Sequence, residues 1–334
     1  MIDVFAVLAP ASRARLKAAE TPRWSSPMLA TLTHRRFSDC NWIFERKFDG
    51  QRVLAFASKG SVHLMSRNHK NVTDTYPELA DALSRQRCAS FIVDGEVVAL
   101  VGSHTSFERL QQRMQIRSLR ESRGAKVRVH FYLFDMLHLN GYDTTALPLL
   151  ERKMLLKRAI QFDRSVRYTS HRAKEGEAYF RRACANGWEG IIAKRSASTY
   201  QHRRSSDWLK FKCAQGQELV IGGFTEPRGG AQGFGALLVG YYDNRQLRYA
   251  GKVGTGFTVE LRVGLRKRMN KLVQQQCPFA DKPAETHATW TFPRLVGEFA
   301  FSEWTRDGKL RHPSFRGLRN DKPPREITRE APVR

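Results

Sequence analysis

The chain has 334 residues, 41% of them hydrophobic and 20 of them Phe, enough for packed cores and long enough to favour two domains over one; composition excludes a disordered polymer. Lys and Arg number 57 against 32 Asp and Glu, a formal net charge of +25, which suits a polyanionic partner held by salt-sensitive contacts; a merely soluble or sticky basic surface is the plainer reading. The five cysteines, Cys40, Cys88, Cys184, Cys213 and Cys277, are widely spaced, without Cys-x-x-Cys or Cys/His metal spacing, and read as reduced thiols with neither a zinc site nor a disulfide framework. No apolar run reaches membrane-spanning length, and the short apolar stretch 4–9 follows Asp3 rather than a basic region, so the reading is a cytoplasmic protein with no membrane partner.

In chain order, residues 1–22 read as a flexible lead-in, with room for a short amphipathic helix over 12–20, and order begins near Trp24. A strand through Trp42-Ile43-Phe44 reaches Lys47 and turns at Gly50; strands over 52–57 and 62–66 follow, joined near Lys59-Gly60. Thr75-Tyr76-Pro77-Glu78 predicts a capping box opening a helix with Leu79 and Leu83 on its inner face. Residues 91–100 are two apolar runs around Asp94-Gly95-Glu96, 103–123 are polar and basic with Phe107 near their start, and 127–134 form a strand. Pro148 opens a helix with Leu149, Leu150, Met154 and Leu155, and a further helix over 177–185 stops at Asn186-Gly187. Residues 188–195 predict a buried strand with Glu189 near its start. In Trp208-Leu209-Lys210-Phe211-Lys212 the two lysines share one strand face. Short strands over 218–224, 235–242, 247–253 and 295–301, with a helix over 259–275, predict a small barrel of the oligonucleotide-binding type.

The chemistry centres on Glu45-Arg46-Lys47-Phe48-Asp49-Gly50-Gln51-Arg52. Lys47 ends a rigid strand beside an open loop. Its amine is a nucleophile once unprotonated, which the positive field of Arg46 and Arg52 would promote. Asp49 fits if it orients the amine or takes up a metal. By itself the octet reads more readily as a charged hairpin tip on a basic protein than as a covalent lysine.

Four segments then fall in one order: Glu45 to Arg52, Asp94-Gly95-Glu96, Glu189-Gly190-Ile191-Ile192, and Trp208 to Lys212. With Pro27-Met28-Leu29-Ala30, Gly233-Phe234-Gly235-Ala236-Leu237-Leu238, Gly251-Lys252-Val253-Gly254-Thr255-Gly256-Phe257 and Glu303-Trp304-Thr305-Arg306-Asp307-Gly308, they resemble the ATP-dependent DNA ligases of the covalent nucleotidyltransferase superfamily, over nearly the whole chain. The resemblance is to the compact bacterial type and the ligase module of end-joining enzymes. It implies an α+β fold: an adenylation domain of antiparallel sheets and flanking helices over 23–215, then an oligonucleotide-binding (OB-fold) barrel over 216–322 and a flexible tail over 323–334.

It also implies roles. Lys47 would carry AMP; Asp49, Lys210 and Lys212 would assist, the two lysines neutralising the α-phosphate. Glu45 would read the adenine amino group and Phe134 would stack on the base. Arg52 and Arg67 would hold ribose and later the nick phosphate, and Arg204 would bind nucleotide or nick. Glu189, with Glu96, would hold Mg²⁺ or Mn²⁺, and Glu96 would otherwise contact ribose. Phe107 would enter the DNA minor groove beside the nick. Arg319, Asp321 and Lys322 would orient the leaving pyrophosphate. The substrates would be ATP, as AMP donor, and nicked duplex DNA, for a monomer serving DNA repair and recombination near the bacterial nucleoid. A Ku-like end-binding protein and separate polymerase or nuclease modules would be its partners. His69 and Arg203 stand where the family often has Gly, which bears on loop geometry and not on the reaction class.

Duller readings stay open: Glu96 as a turn carboxylate, Phe134 and Phe107 as core, Lys210 with Lys212 as a solvated face, and 319–322 as a surface cluster. An RNA ligase or capping guanylyltransferase shares the lysine motif and the general build. A non-catalytic nucleic-acid-binding scaffold would share only the charge.

Overall fold

The computed structural model describes residues 3–116, 118–227, 232–285 and 287–330. The chain divides between Cys213 and Ala214 into two compact units.

Strand periodicity builds the first unit. In Gln51–Ser58, Val53, Ala55 and Ala57 face one core while Leu54 and Phe56 face another, as alternating side chains must. The strand is buried on both faces because its sheet is covered on both. The sheet runs Lys17–Ala18, Tyr142–Asp143, Val129–Leu139, Ser90–Val101, Gln51–Ser58, Ser61–Ser66, with Val166–Tyr168 parallel to Val129–Leu139. The helices Pro77–Ser84, Phe107–Met114 and Leu149–Ala159 contribute to the core on one face through Leu79, Leu83, Leu110, Leu155 and Leu156. A second sheet runs His171–Ala173, Trp42–Lys47, Gly190–Arg195, Arg204–Lys212, Leu29–Leu32. Its Trp208 and the neighbouring Met28 and Tyr200 pack with Leu54, Phe56, Ile92 and Phe134 of the first sheet, so the two sheets meet across a shared apolar floor.

In the second unit an antiparallel sheet runs Gln246–Val253, Leu237–Asp243, Gln215–Thr225, Ala288–Phe301, Val273–Gln274, with Ser314–Leu318 also paired to Ala288–Phe301. Register shifts at Ile221/Gly223 and Val239/Gly240 mark bulges, which bend and twist strands and let the sheet curl. The helix Val259–Asn270 closes the core with Leu265 and Met269; it is capped by Thr258 and ends before the expected 275. Among the described residues no helix is long and apolar enough to cross a membrane.

Several local expectations differ. Residues 3–22 are built onto the first unit: Leu8 is buried, Pro10–Arg13 is the helix, Lys17–Ala18 pairs with Tyr142–Asp143, and Ser12 Oγ donates to Glu151 at 2.7 Å. The capping box does not form. Glu78, the acid it needs, accepts from buried Arg113 at 2.7 Å, and the helix starts at Pro77 with no side-chain cap. Arg113, inside the basic stretch, also donates to the Thr75 and Ser122 carbonyls, so this arginine is structural. In Leu149–Ala159 the inward face is Leu149, Arg152, Lys153 and Leu156, whereas Leu150 and Met154 are exposed. The 323–330 segment packs through Ile327 and bonds Gln217 through Thr328 and Glu330. The cysteine reading is corrected in part: Cys184 and Cys213 form a disulfide, because the last turn of Gly176–Ala185 lies against the end of Arg204–Lys212 with the two Cα atoms 5.3 Å apart. Cys40, Cys88 and Cys277 are free thiols.

Candidate active site

Sheet register, set by hydrophobic burial on the opposite face, assembles the site. Phe44, Ile191, Ala193, Leu209 and Phe211 pack together against Tyr179 and Ala183 of the helix Gly176–Ala185. Their strand neighbours must therefore face the other way. Lys47 pairs with Gly190 and Gly190 with Lys212; Glu45 pairs with Ile192 and Ile192 with Lys210; Ile43 pairs with Lys194 and Lys194 with Trp208. Glu45, Lys47, Lys194, Lys210 and Lys212 thus share one face. Gly190, between Lys47 and Lys212, has φ +149°, and a Cβ there would lie 2.0 Å from the Phe211 carbonyl oxygen. Only glycine fits.

Lys47 Nζ is ion-paired with Glu189, and both side chains are about one-fifth exposed, at 20% and 23%. The second oxygen of Glu189, Oε2, is buried with no hydrogen-bond partner among the described residues. Glu45 is 2% exposed and lies between two ammonium groups, Lys153 and Lys194. Burial opposes its charge, and the lysines outweigh burial to hold the carboxyl below its ordinary pKa.

The first sheet supplies the facing wall. Arg52, Glu96, Tyr132 and Arg167 fall in one cross-strand row. Arg52 is clamped by Asp94, with Nη2 2.5 Å from Oδ2, and its guanidinium lies 4.5 Å from the Phe134 ring centre. Asp94 is fully buried and also accepts from Tyr200 Oη at 2.6 Å. Burial works against the Arg52 charge, but the Asp94 carboxylate prevails and raises the arginine's pKa further. Phe134 is 8% exposed, and Lys194 Nζ lies 4.1 Å from its ring centre. Arg67 opens the turn that follows Ser61–Ser66, its N–H donating to the Arg52 carbonyl at 3.3 Å. His69, where the family often has Gly, takes a left-handed φ of +58° and stacks on Trp24 at 4.6 Å, so the turn tolerates the side chain. Arg204 donates to the Ala30 carbonyl at 2.5 Å, and Arg203 leans on Gln201. Asp49 follows Lys47 out of the strand.

Phe107 is not brought to this site: it opens its helix buried in the first core at 7% exposure. In the second unit Arg319, 9% exposed, donates to Asp321 at 2.9 and 3.0 Å and to Glu298 at 3.1 Å, while Lys322 is ion-paired with Glu218. This is a buried ionic network rather than a loose surface cluster. Among the described residues no group of three or more His, Cys, Asp or Glu forms a metal cage. The donor set fits Mg²⁺ in another way: one carboxylate, Glu189, with a buried oxygen left over, suits an ion that keeps its waters and takes further ligands from phosphates.

The sequence places Asp94 in a motif without giving it a role, and assigns none to Lys153, Lys194 or Tyr200. Lys194 shares a face with Lys210 and Glu45 through the cross-strand register, which strand alternation alone does not fix. Lys153 gave no signal, because a helical Glu-Arg-Lys run reads as a solvated face.

Such a build, a lysine-centred two-sheet domain followed by a curled barrel, is that of a covalent nucleotidyltransferase with an OB fold. The ATP dependent DNA ligase domain family matches residues 27–212, and the ATP dependent DNA ligase C terminal region matches 230–322. The chain belongs to the ATP-dependent DNA ligase family. It is 36% identical over 321 residues to the multifunctional non-homologous end joining protein LigD of Pseudomonas aeruginosa, covering 93% of this chain and 37% of that protein. It is 37% identical over 313 residues to the multifunctional non-homologous end joining DNA repair protein LigD of Mycobacterium tuberculosis H37Rv, covering 91% and 40%. The chain thus spans about two fifths of the length of these curated relatives. A solved structure of mycobacterial DNA ligase D complexed with ATP and MES superposes with a TM-score of 0.65 at 36% identity, over 92% of this chain and 98% of that one.

Proposed function

We propose that this chain seals 5′-phosphate/3′-hydroxyl nicks in duplex DNA at the expense of ATP, in end joining. The observation that carries the reading is the register that sets Lys47, Lys210 and Lys212 on one sheet face with Glu189 against the Lys47 amine. The Lys47 ammonium first gives its proton to solvent water as the Glu189 pair opens, leaving a neutral amine. Its nitrogen then attacks the α-phosphorus of ATP in line, the P–N bond forms, the bond to the β-phosphate breaks, and pyrophosphate leaves. Lys210 and Lys212 stabilise charge on the α-phosphate oxygens, the chief protein contribution where little covalent work falls to other groups. AMP next passes to the 5′-phosphate of the nick, and the 3′-hydroxyl displaces it. Arg52, fixed by Asp94, and Arg67 hold ribose and phosphate; Phe134 stacks on the base; Glu45 accepts from its amino group; Arg204 supports nucleotide or nick; Asp49 orients the amine. Mg²⁺ or Mn²⁺ held by Glu189, with Glu96 nearby in function, would neutralise triphosphate charge. Arg319, Asp321 and Lys322 orient the pyrophosphate leaving group. A Ku-like end-binding partner fits the end-joining names of the relatives.

The test offers nicked DNA and nicked RNA, each with ATP or GTP. Sealing of DNA with ATP supports the reading. Equal or better sealing of RNA, or labelling from GTP alone, replaces it with the RNA-ligase or capping reading.

A further inference from the structure

The first unit buries one carboxylate between two ammonium groups. Glu45, Lys153 and Lys194 are each 2% exposed or less. Lys153 reaches Glu45 Oε1 from the helix Leu149–Ala159 and also donates to the carbonyls of Thr169 at 3.1 Å and Phe134 at 3.4 Å. Lys194 approaches Oε2 at 2.6 Å from the neighbouring strand, with the ring centres of Trp208 and Phe134 at 4.0 and 4.1 Å. One lysine would neutralise the carboxylate. The second leaves a net positive charge in a dry interior, and burying an ion is costly enough that an apolar residue would serve stability better.

What the second lysine adds is geometry. A carboxylate held at one oxygen can rotate; held at both, by groups from a helix and a strand, it cannot. It also stays ionised, so it accepts hydrogen bonds and donates none. Lys194 further ties this carboxylate to Phe134, the ring that stacks on the base in the reading above. A 6-amino purine offers such a carboxylate two N–H donors. A 6-oxo purine offers an acceptor, which leaves both oxygens facing each other unpaired, and sites built on a buried hydrogen bond reject partners that lack it.

We propose that Lys153 and Lys194 are positioning residues that lock Glu45 in one ionised orientation and so set the preference for a 6-amino over a 6-oxo purine triphosphate. The proposal rests on Glu45 facing the base.

The experiment measures kcat/KM of lysyl-nucleotide formation with ATP, with purine riboside triphosphate, which lacks the 6-amino group, and with GTP. The proteins are wild type, Lys153→Met, Lys194→Met and Glu45→Gln. A hydrogen bond to a charged group predicts that wild type favours ATP over purine riboside triphosphate by roughly 10- to 100-fold. Each lysine variant should shrink that ratio at least about fivefold, because the 6-amino group then meets a mobile acceptor. Rates that fall by the same factor for all three nucleotides would make the lysines merely structural and overturn the proposal. A wild-type ratio in Glu45→Gln would overturn the base-reading role itself, a distinct failure. Where a methionine variant does not fold, Lys153→Gln and Lys194→Gln carry the same measurement.

Discussion

Replacing Asp94 by Asn should destabilise the first unit strongly. Asp94 is fully buried, clamps Arg52 through two contacts and accepts from Tyr200 Oη at 2.6 Å. Asn keeps the shape and one oxygen but removes the charge, which leaves a mostly buried guanidinium without its ionic partner. Breaking a buried pair in this way costs about 3 kcal/mol or more. In a unit of this size that is a fall of roughly 6–12 °C in melting midpoint. The freed Arg52 also leaves the Phe134 ring, so lysyl-AMP formation should slow as stability falls. Thermal unfolding of wild type, Asp94→Asn and the double variant Asp94→Asn/Arg52→Met reads the effect. The double variant should recover part of the loss, because the uncompensated charge has gone. A single variant that melts with wild type, or a double variant no more stable than the single, would refute the reasoning.

Three further outcomes follow from the geometry. Reducing Cys184–Cys213, 29 residues apart, should lower stability by about 3–4 kcal/mol on chain entropy, and a melting point unchanged by reductant would contradict that pairing. Burial pushes the Lys194 ammonium down to about 8 from its ordinary 10.5, with Lys153 adding to the shift and Glu45 and Asp135 opposing it. Between those values the unfolded chain holds the extra proton, so wild type should gain up to about 3 kcal/mol over Lys194→Met as pH rises through the window; a flat difference would show that Lys194 titrates normally. Arg319→Ala, which removes the buried group that bridges Asp321 and Glu298, should slow lysyl-AMP formation more than sealing of pre-adenylated nicks, and equal losses in both would assign it a structural role.

The strands that carry the site were legible because their alternation is strong. Leu209 and Phe211 against Lys210 and Lys212 fix both strand and face, and Gly190 marks where two lysines approach one backbone. What stayed hidden was charge turned inward. The helix Leu149–Ala159 buries Arg152 and Lys153 and exposes Leu150 and Met154, against its apolar count, because Asp135 and Glu45 wait beneath it. Those acids are distant in sequence, and no local pattern announces them. Phe107 shows the converse: a lone aromatic in a basic segment carries both a DNA reading and a core reading, and the structure buries it in the first core with Leu110. The capping box failed for the same tertiary reason, since Arg113 recruits Glu78.

The most direct test of the account is the intact mass of the purified chain before and after incubation with ATP and Mg²⁺, for wild type and Lys47→Ala. A covalent Lys47 gives a gain of one AMP in wild type that is absent from the variant and is discharged by nicked DNA. No gain in wild type, or an equal gain in Lys47→Ala, would contradict it.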